Sequence, residues 1–418
     1  MRTVIVILSA FFLWELVGLA SLEAESTNPP PLFSKNLLGD WAGLKRRIED
    51  WGLHASLYYN HFYGAVIQGG RYPHDATSHS GSGDLFVLAD LEKMGLFPNT
   101  QMFLQAKNNF SKNINPKVGA LFDPFDDADF DEPFYIDQLW FQHGLGDQRF
   151  RFRWGYIDLQ TILDRNAYAN SEDLQFMNTV LDNNAAIIPL KVGLGAAFLL
   201  NPTDQLELAF GVVDADNELL LAGFDTAFDD LKSLMAYAEA GYSVEWRGNQ
   251  GTLPGKYRLG LFYDPRRKAV FSQTDLLTGL TRYERGDVGF YLSFDQMLYR
   301  EDSSSSQGFG LFLRYGYRDP EVNRVSQFWS TGFQYLGPIP GRDADRIGFA
   351  VYSAHASSRY RNRVNSDFSR ETGFEWYYNI ALTPCLALSP DLQIIDNPGG
   401  LKTAETALVL GLRGRITF

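Results

Sequence analysis

Arg149-Phe150-Arg151-Phe152-Arg153-Trp154-Gly155-Tyr156 alternates a basic or small residue with an aromatic one at every step. Period two is the side-chain repeat of a β-strand, so the segment has one basic face and one aromatic face. Gly255-Lys256-Tyr257-Arg258-Leu259-Gly260-Leu261-Phe262-Tyr263 repeats the pattern, with Phe262 as its one exception. The two faces of such strands must meet different environments. About sixteen segments alternate this way, near 53–67, 84–93, 100–109, 134–143, 149–157, 189–200, 204–213, 233–246, 255–264, 286–297, 307–317, 327–336, 345–354, 369–380, 386–395 and 405–418. Most are about 10 residues, the length of a tilted strand across a membrane.

The linkers carry the next step. Long ones (68–83, 110–133, 158–188, 214–232, 265–285) follow odd strands, and short ones such as Met94 to Asn99, Gly144 to Gln148 and Asn201 to Thr203 follow even strands. An up-and-down barrel with short periplasmic turns and long outer loops has this rhythm, and an even strand count returns both ends to the periplasmic side. The contrast fades after residue 247, where Arg247 to Pro254 and Leu298 to Ser306 are long for turns. The fold expected is all-β: a transmembrane antiparallel up-and-down β-barrel of about sixteen strands with a short N-terminal helix.

Composition agrees. The 418 residues are 45% hydrophobic and 21% charged, with a single cysteine, Cys385, which excludes disorder and a disulfide scaffold. A net charge of −13 argues against nucleic acid as a partner. The N-terminus reads as a signal peptide over residues 1–24: Arg2, an apolar run from Val4 to Trp14, and small residues with cleavage expected after Ala20 or Ala24. Glu15 cuts the run short of the roughly 20 apolar residues that a helical span needs. Residues 25–52 form an N-terminal segment whose helix, Leu37 to Gly52, sets Trp41, Leu44, Ile48 and Trp51 on one face behind Asp40 as cap. That helix lies in the periplasm or plugs the pore, and residues 53–418 make the barrel.

In the last strand Thr406, Leu408, Leu410, Leu412, Ile416 and Phe418 share one face, and Arg413 and Arg415 share the other. A soluble edge strand would leave that apolar row bare, whereas a barrel turns it to lipid. Leu38-Gly39-Asp40-Trp41-Ala42-Gly43-Leu44, Leu91-Glu92-Lys93 before Gly95-Leu96, Gly155-Tyr156-Ile157-Asp158, Gln175-Phe176-Met177-Asn178, Ser389-Pro390-Asp391-Leu392-Gln393 and Asn397-Pro398-Gly399-Gly400 follow one another along the chain. In that order they resemble the carbohydrate-selective porins of Gram-negative outer membranes, the OprB type. The resemblance implies a 16-stranded outer-membrane barrel that passes small sugars down their gradient. It also implies that Phe418 is read by the barrel-assembly machinery. The region from about Asp216 to about residue 340 matches little of the family's pattern, so no sugar preference is carried over.

The pore lining is expected on the inner face. Arg149, Arg151 and Arg153 climb the fifth strand, Arg258 sits low on the ninth, and Arg413 and Arg415 sit low on the sixteenth. Carboxylates on inner positions include Glu239, Glu371 and Glu375, together with Glu207 and Glu245. Guanidinium donates to sugar hydroxyls and carboxylate accepts from them, so such a lining suits small sugars. The alternatives are that the charges merely satisfy one another, or that the arginines make an anion-selective porin. The loop 158–188 is expected to narrow the lumen or to cover its mouth. The acidic run Asp123, Asp126, Asp127, Asp129, Asp131 and Glu132 lacks the spacing of a calcium loop and is expected to be solvated, the alternative being loose divalent ions shared with lipopolysaccharide; outer-membrane lipid and lipopolysaccharide are the expected surroundings of the barrel. No cofactor or specific metal site is expected. No His sits in a context that suggests a hydrolase triad, so an enzyme is not expected. A secreted soluble β-protein, a lectin or glycosidase, is the remaining alternative.

Overall fold

The computed structural model describes residues 36–40, 43–72, 76–128, 131–146, 148–186, 192–215, 234–274, 281–303 and 305–418. The expected signal peptide, Trp41 and Asp129 lie outside these residues.

Alternation along the chain becomes a cylinder. Strands β1 (Leu53–Gln68), β2 (Thr77–Asp90), β3 (Thr100–Ser111), β4 (Tyr135–Leu145), β5 (Phe150–Asp158), β6 (Val192–Leu200), β7 (Leu206–Asp214) and β8 (Leu234–Gly248) form one half. The other half is β9 (Gly251–Thr274), β10 (Thr281–Arg300), β11 (Gly308–Arg318), β12 (Val325–Leu336), β13 (Arg346–Ala356), β14 (Arg370–Thr383), β15 (Leu386–Asp396) and β16 (Ala407–Thr417). Each strand pairs with its neighbours in sequence, and β1 closes on β16 with Tyr58 opposite Thr417 and Val66 opposite Val409. Closure removes every open edge, which a membrane does not tolerate.

The faces separate as the sequence requires. Leu410 (44% exposed), Leu412 (37%), Leu259, Leu261, Leu313 and Trp376 point outward, while Val409, Arg413, Gln393, Glu375 and Arg314 are buried inside. Val409 packs with Phe62, Phe125 and Met177 in a small apolar cluster, so the inner face is not uniformly wet.

Four details differ from expectation. β2 starts at Thr77 instead of near 84, and β9 and β10 run for 24 and 20 residues, well past the 9–11 that span a membrane. Their outer halves are polar ribbons held by inter-strand hydrogen bonds, which need no apolar alternation. The presumed long turn at 247–254 is a tight hairpin in which Gly248 pairs with Gly251. The helix is shorter than predicted: α1 spans Leu44–Asp50, with Gly43 at its start in the left-handed conformation (φ 87°) and no side-chain cap. Asp40 accepts from Arg46 Nε at 2.7 Å instead. No residue of α1 is buried.

Candidate functional site: a lumen filled by an anchored loop

The chain between β5 and β6 does not sit over the mouth. Leu159, Ala169, Phe176, Val180, Leu181 and Asn184 are fully buried, and the loop's hydrogen bonds run to inner-face residues of far strands. Backbone groups in an irregular loop need partners once water is gone, and inward charges supply them. Glu239 on β8 accepts from the Asp164 N–H at 2.7 Å and from the Tyr291 hydroxyl at 2.6 Å. Glu375 on β14 accepts from the N–H groups of Met177 (2.6 Å) and Asn178 (3.1 Å). Arg413 on β16 donates to the carbonyls of Glu172 and Gln175 and to Ser389 Oγ.

Arg314 on β11, which the sequence reading missed, is the central fixture. Fully buried, it pairs with Asp164 Oδ2 at 2.9 Å and donates to the carbonyls of Leu181, Asp164 and Ala169. Room for the loop comes from glycine on the same inner face of β11. A Cβ at Gly310 would overlap the Tyr168 ring, and one at Gly316 would lie 2.5 Å from Asn184 Oδ1. Asp164 itself adopts φ 57°, a left-handed turn that Asp tolerates better than most residues. Burial raises its carboxyl pKa, an effect opposed by Arg314.

The chain between β3 and β4 is also drawn inward, which corrects the expectation of a solvated acidic loop. Asp126 and Asp127 are buried. Asp127 accepts from Lys107 Nζ at 3.2 Å and Asn60 Nδ2 at 2.7 Å, and Asp126 accepts from Thr179 Oγ1 at 3.0 Å. Lys107, on the inner face of β3, also reaches Asp84 and Glu172. Glu371 accepts from the N–H groups of Leu121 (2.6 Å) and Gly399 (2.7 Å) and from the Tyr352 hydroxyl. Carboxylate oxygens of Asp126, Glu172 and Asp182 lie within 4.8 Å of one another, close enough to share a hard cation. Burial pushes the Glu172 carboxyl pKa well up, against the opposing pull of Lys107, and Asp127, Asp126 and Asp182 push it further. Next to it, burial alone would raise Asp173, but Arg415 at 2.9 Å, the Ser171 hydroxyl and Arg413 hold it below the usual carboxylate value.

The nine residues expected to line the pore therefore divide. Glu371, Glu375 and Arg413 are sealed from solvent by the loops they hold, and Glu239 and Arg258 are nearly so. Arg258 pairs with Asp295 at 2.8 Å, and Arg415 pairs with Asp173 and lies over the Tyr58 ring. Arg149 is at the rim, paired with Asp204 at 3.0 Å. Their depth is decided by loops from elsewhere in the chain, which no strand pattern shows. Two arginines do border open space: Arg151 and Arg153 line a cavity of about 70 Å³ with Arg165, Glu207, Asn201 and Glu239. Arg151 donates to Asn201 Oδ1 at 2.8 Å, while Arg153 donates to Gln142 Oε1 and lies 3.8 Å over the Trp140 ring. Glu207 takes Arg165 at 3.1 Å and also Lys256.

Blocks far apart in sequence meet here. Gln175 donates to Gln334 at 2.9 Å, Met177 and Asn178 donate to Glu375, and Asn178 Nδ2 donates to Gln393 Oε1 at 3.1 Å. The Gln175–Asn178 and Ser389–Gln393 stretches are thus two halves of one clamp. A profile of the carbohydrate-selective porin family OprB matches residues 74–418. The chain belongs to that family. Porin B of Pseudomonas aeruginosa is 25% identical over 96% of this porin and 95% of its own length. The putative porin QuiX of Acinetobacter baylyi is 21% identical over 98% and 99%. A high-pH structure of Pseudomonas putida OprB superposes with a TM-score of 0.83 at 20% identity, covering 94% of this porin and all of that chain. The low-pH structure of the same protein gives 0.59 at 19% identity. The porin is accordingly a closed 16-strand barrel of the Gram-negative outer membrane, and members of its family are channel proteins.

Proposed function

We propose that this porin lets small carbohydrates diffuse passively through a water-filled lumen, past a narrow region set by the loop between β5 and β6. The observation that carries the reading is the clamp: Glu239, Glu375, Arg314 and Arg413 hold that loop inside the barrel through its own backbone. On the side of the short turns, Arg151, Arg153, Arg165 and Glu207 offer donors and acceptors to hydroxyls without any deep pocket, which suits passage better than retention. Helix α1, with no buried residue, takes the periplasmic rim and not the pore. Phe418, whose N–H donates to the Leu57 carbonyl beside the β1–β16 seam, serves as the assembly signal. Membrane lipid and lipopolysaccharide surround the apolar outer face.

Single-channel recording in a salt gradient with a glucose or maltooligosaccharide titration tests the reading. Sugar should block the current at millimolar concentration, and Arg151→Ala with Arg153→Ala should weaken the block severalfold. Both arginines are bonded to amides rather than to carboxylates, which favours a mild preference for anions. Strong anion selectivity with no sugar block would replace the carbohydrate reading with an anion porin.

A further inference from the structure

Between the clamped loops and the long-loop end of the barrel lies a second, larger cavity of about 540 Å³. Its charged lining is all of one sign: Arg266, Arg267 and Lys268 from β9, Arg318 from the end of β11 and Arg324 just before β12. Two fully buried carboxylates on the wall, Asp264 and Asp287, hold three of the five. Arg266 reaches Asp264 at 2.8 Å, Lys268 reaches Asp264 at 2.7 Å and Asp287 at 2.6 Å, and Arg318 reaches Asp287 at 2.6 Å. Arg267 and Arg324 have no carboxylate partner among the described residues. Arg267 lies over the Tyr283 ring (4.8 Å), and Arg324 lies over Tyr360 (5.3 Å) and Phe368 (5.1 Å). The opposite lining is apolar, with Phe122 and Phe328 meeting edge to face at 6.4 Å.

We propose that this outer basin is a capture site for an anionic carbohydrate, a monosaccharide carrying a carboxylate, which it concentrates ahead of the narrow region. The volume is in the range of small-ligand sites. Five cations over two carboxylates leave an excess positive field, and fields of one sign in a low-dielectric cleft raise the local concentration of the opposite charge. Guanidinium suits a carboxylate through two parallel N–H donors, and Phe122, which is only partly buried and backed by the buried Phe328, gives the C–H face of a pyranose ring a surface. A bare inorganic anion would use the cations and leave Phe122 idle. The inference rests on the carbohydrate-porin reading and adds the charge of the preferred solute.

The test is current block in planar bilayers of zwitterionic phospholipid free of lipopolysaccharide, at 0.1 M KCl, with each solute added from either side in turn. Glucuronate should half-block at a concentration roughly tenfold below that of glucose. Arg267→Gln with Arg324→Gln should erase that advantage, bringing the half-blocking concentration of glucuronate to that of glucose, while the loop clamp, which uses neither side chain, stays in place. Equal block by glucuronate and glucose in the unaltered porin would overturn the inference and leave the carbohydrate reading standing. Inorganic phosphate blocking as well as glucuronate would overturn the carbohydrate class of the site. Conducting channels blocked by neither sugar would overturn both readings.

Discussion

The barrel wall and the loop inside it are stabilised by opposite means. The wall satisfies its backbone by closure and its outer side chains by lipid, so each strand is specified locally by alternation. The 159–186 loop has no ladder. Its carbonyls and N–H groups end on side chains more than a hundred residues away: Arg314, Glu375 and Arg413. Damage to the wall should therefore act on assembly, and damage to the clamp should act on the pore within an assembled wall.

Arg314 should give the largest effect. Replacing it with Met leaves Asp164 buried without its cation and three carbonyls without their donor. Breaking a buried pair from one side costs about 3–5 kcal/mol. That cost falls on the docked loop, so Arg314→Met should give channels of higher and noisier conductance with the loop open to protease. Trimmed-loop fragments beside an intact, heat-modifiable barrel on gels would establish the separation. A barrel that fails to assemble would show that wall and loop fold as one unit.

Leu261→Arg strikes the wall alone. Leu261 is 52% exposed on the lipid side of β9, and a cation near the bilayer midplane costs about 2–4 kcal/mol. The fraction reaching the assembled, heat-modifiable form should fall, with unchanged conductance in the channels that survive. Ser243→Arg, on the inner face of the adjacent β8, should assemble normally. Val409 is unsuited as an inner control, because an arginine there would enter the apolar cluster around Phe62 and Phe125.

This division also marks what could be read from the chain. The strand positions and the lipid-facing row of β16 follow from period two, which is local. Glu371 and Glu375 could be assigned to the inner face for the same reason. Their roles as acceptors for Leu121, Gly399, Met177 and Asn178 could not, since which loop fills which part of the lumen depends on contacts across the barrel. Arg314 did leave a trace. In Gly310-Leu311-Phe312-Leu313-Arg314-Tyr315-Gly316 it shares its face with two glycines, an odd choice for a wall residue unless something must fit against that wall. The outer basin was harder to see, because its cations lie where the alternation stops and the polar ribbon of β9 and β10 begins.

The smallest effect belongs to the rim, where neither wall nor clamp is involved. Arg149 pairs with Asp204 at 3.0 Å with half of its side chain in solvent, and such pairs contribute about 0–1 kcal/mol. Arg415 makes a pair of similar length with Asp173, but that carboxylate belongs to the buried loop. The contrast isolates burial from the ion pair itself. Arg149→Ala should leave thermal stability, conductance and noise within error of the parent, and any small change should vanish at 1 M salt, where screening acts within about 3 Å. Arg415→Ala should raise open-channel noise and keep doing so at high salt, because the Asp173 side chain it abandons is only 14% exposed. The Asp173 contribution should also survive acidification to the ordinary carboxylate range, since a pKa held below normal keeps the charge until pH falls further. If Arg149→Ala alters noise as much as Arg415→Ala does, the rim is coupled to the loop, and the separation of wall from clamp fails at its lower edge.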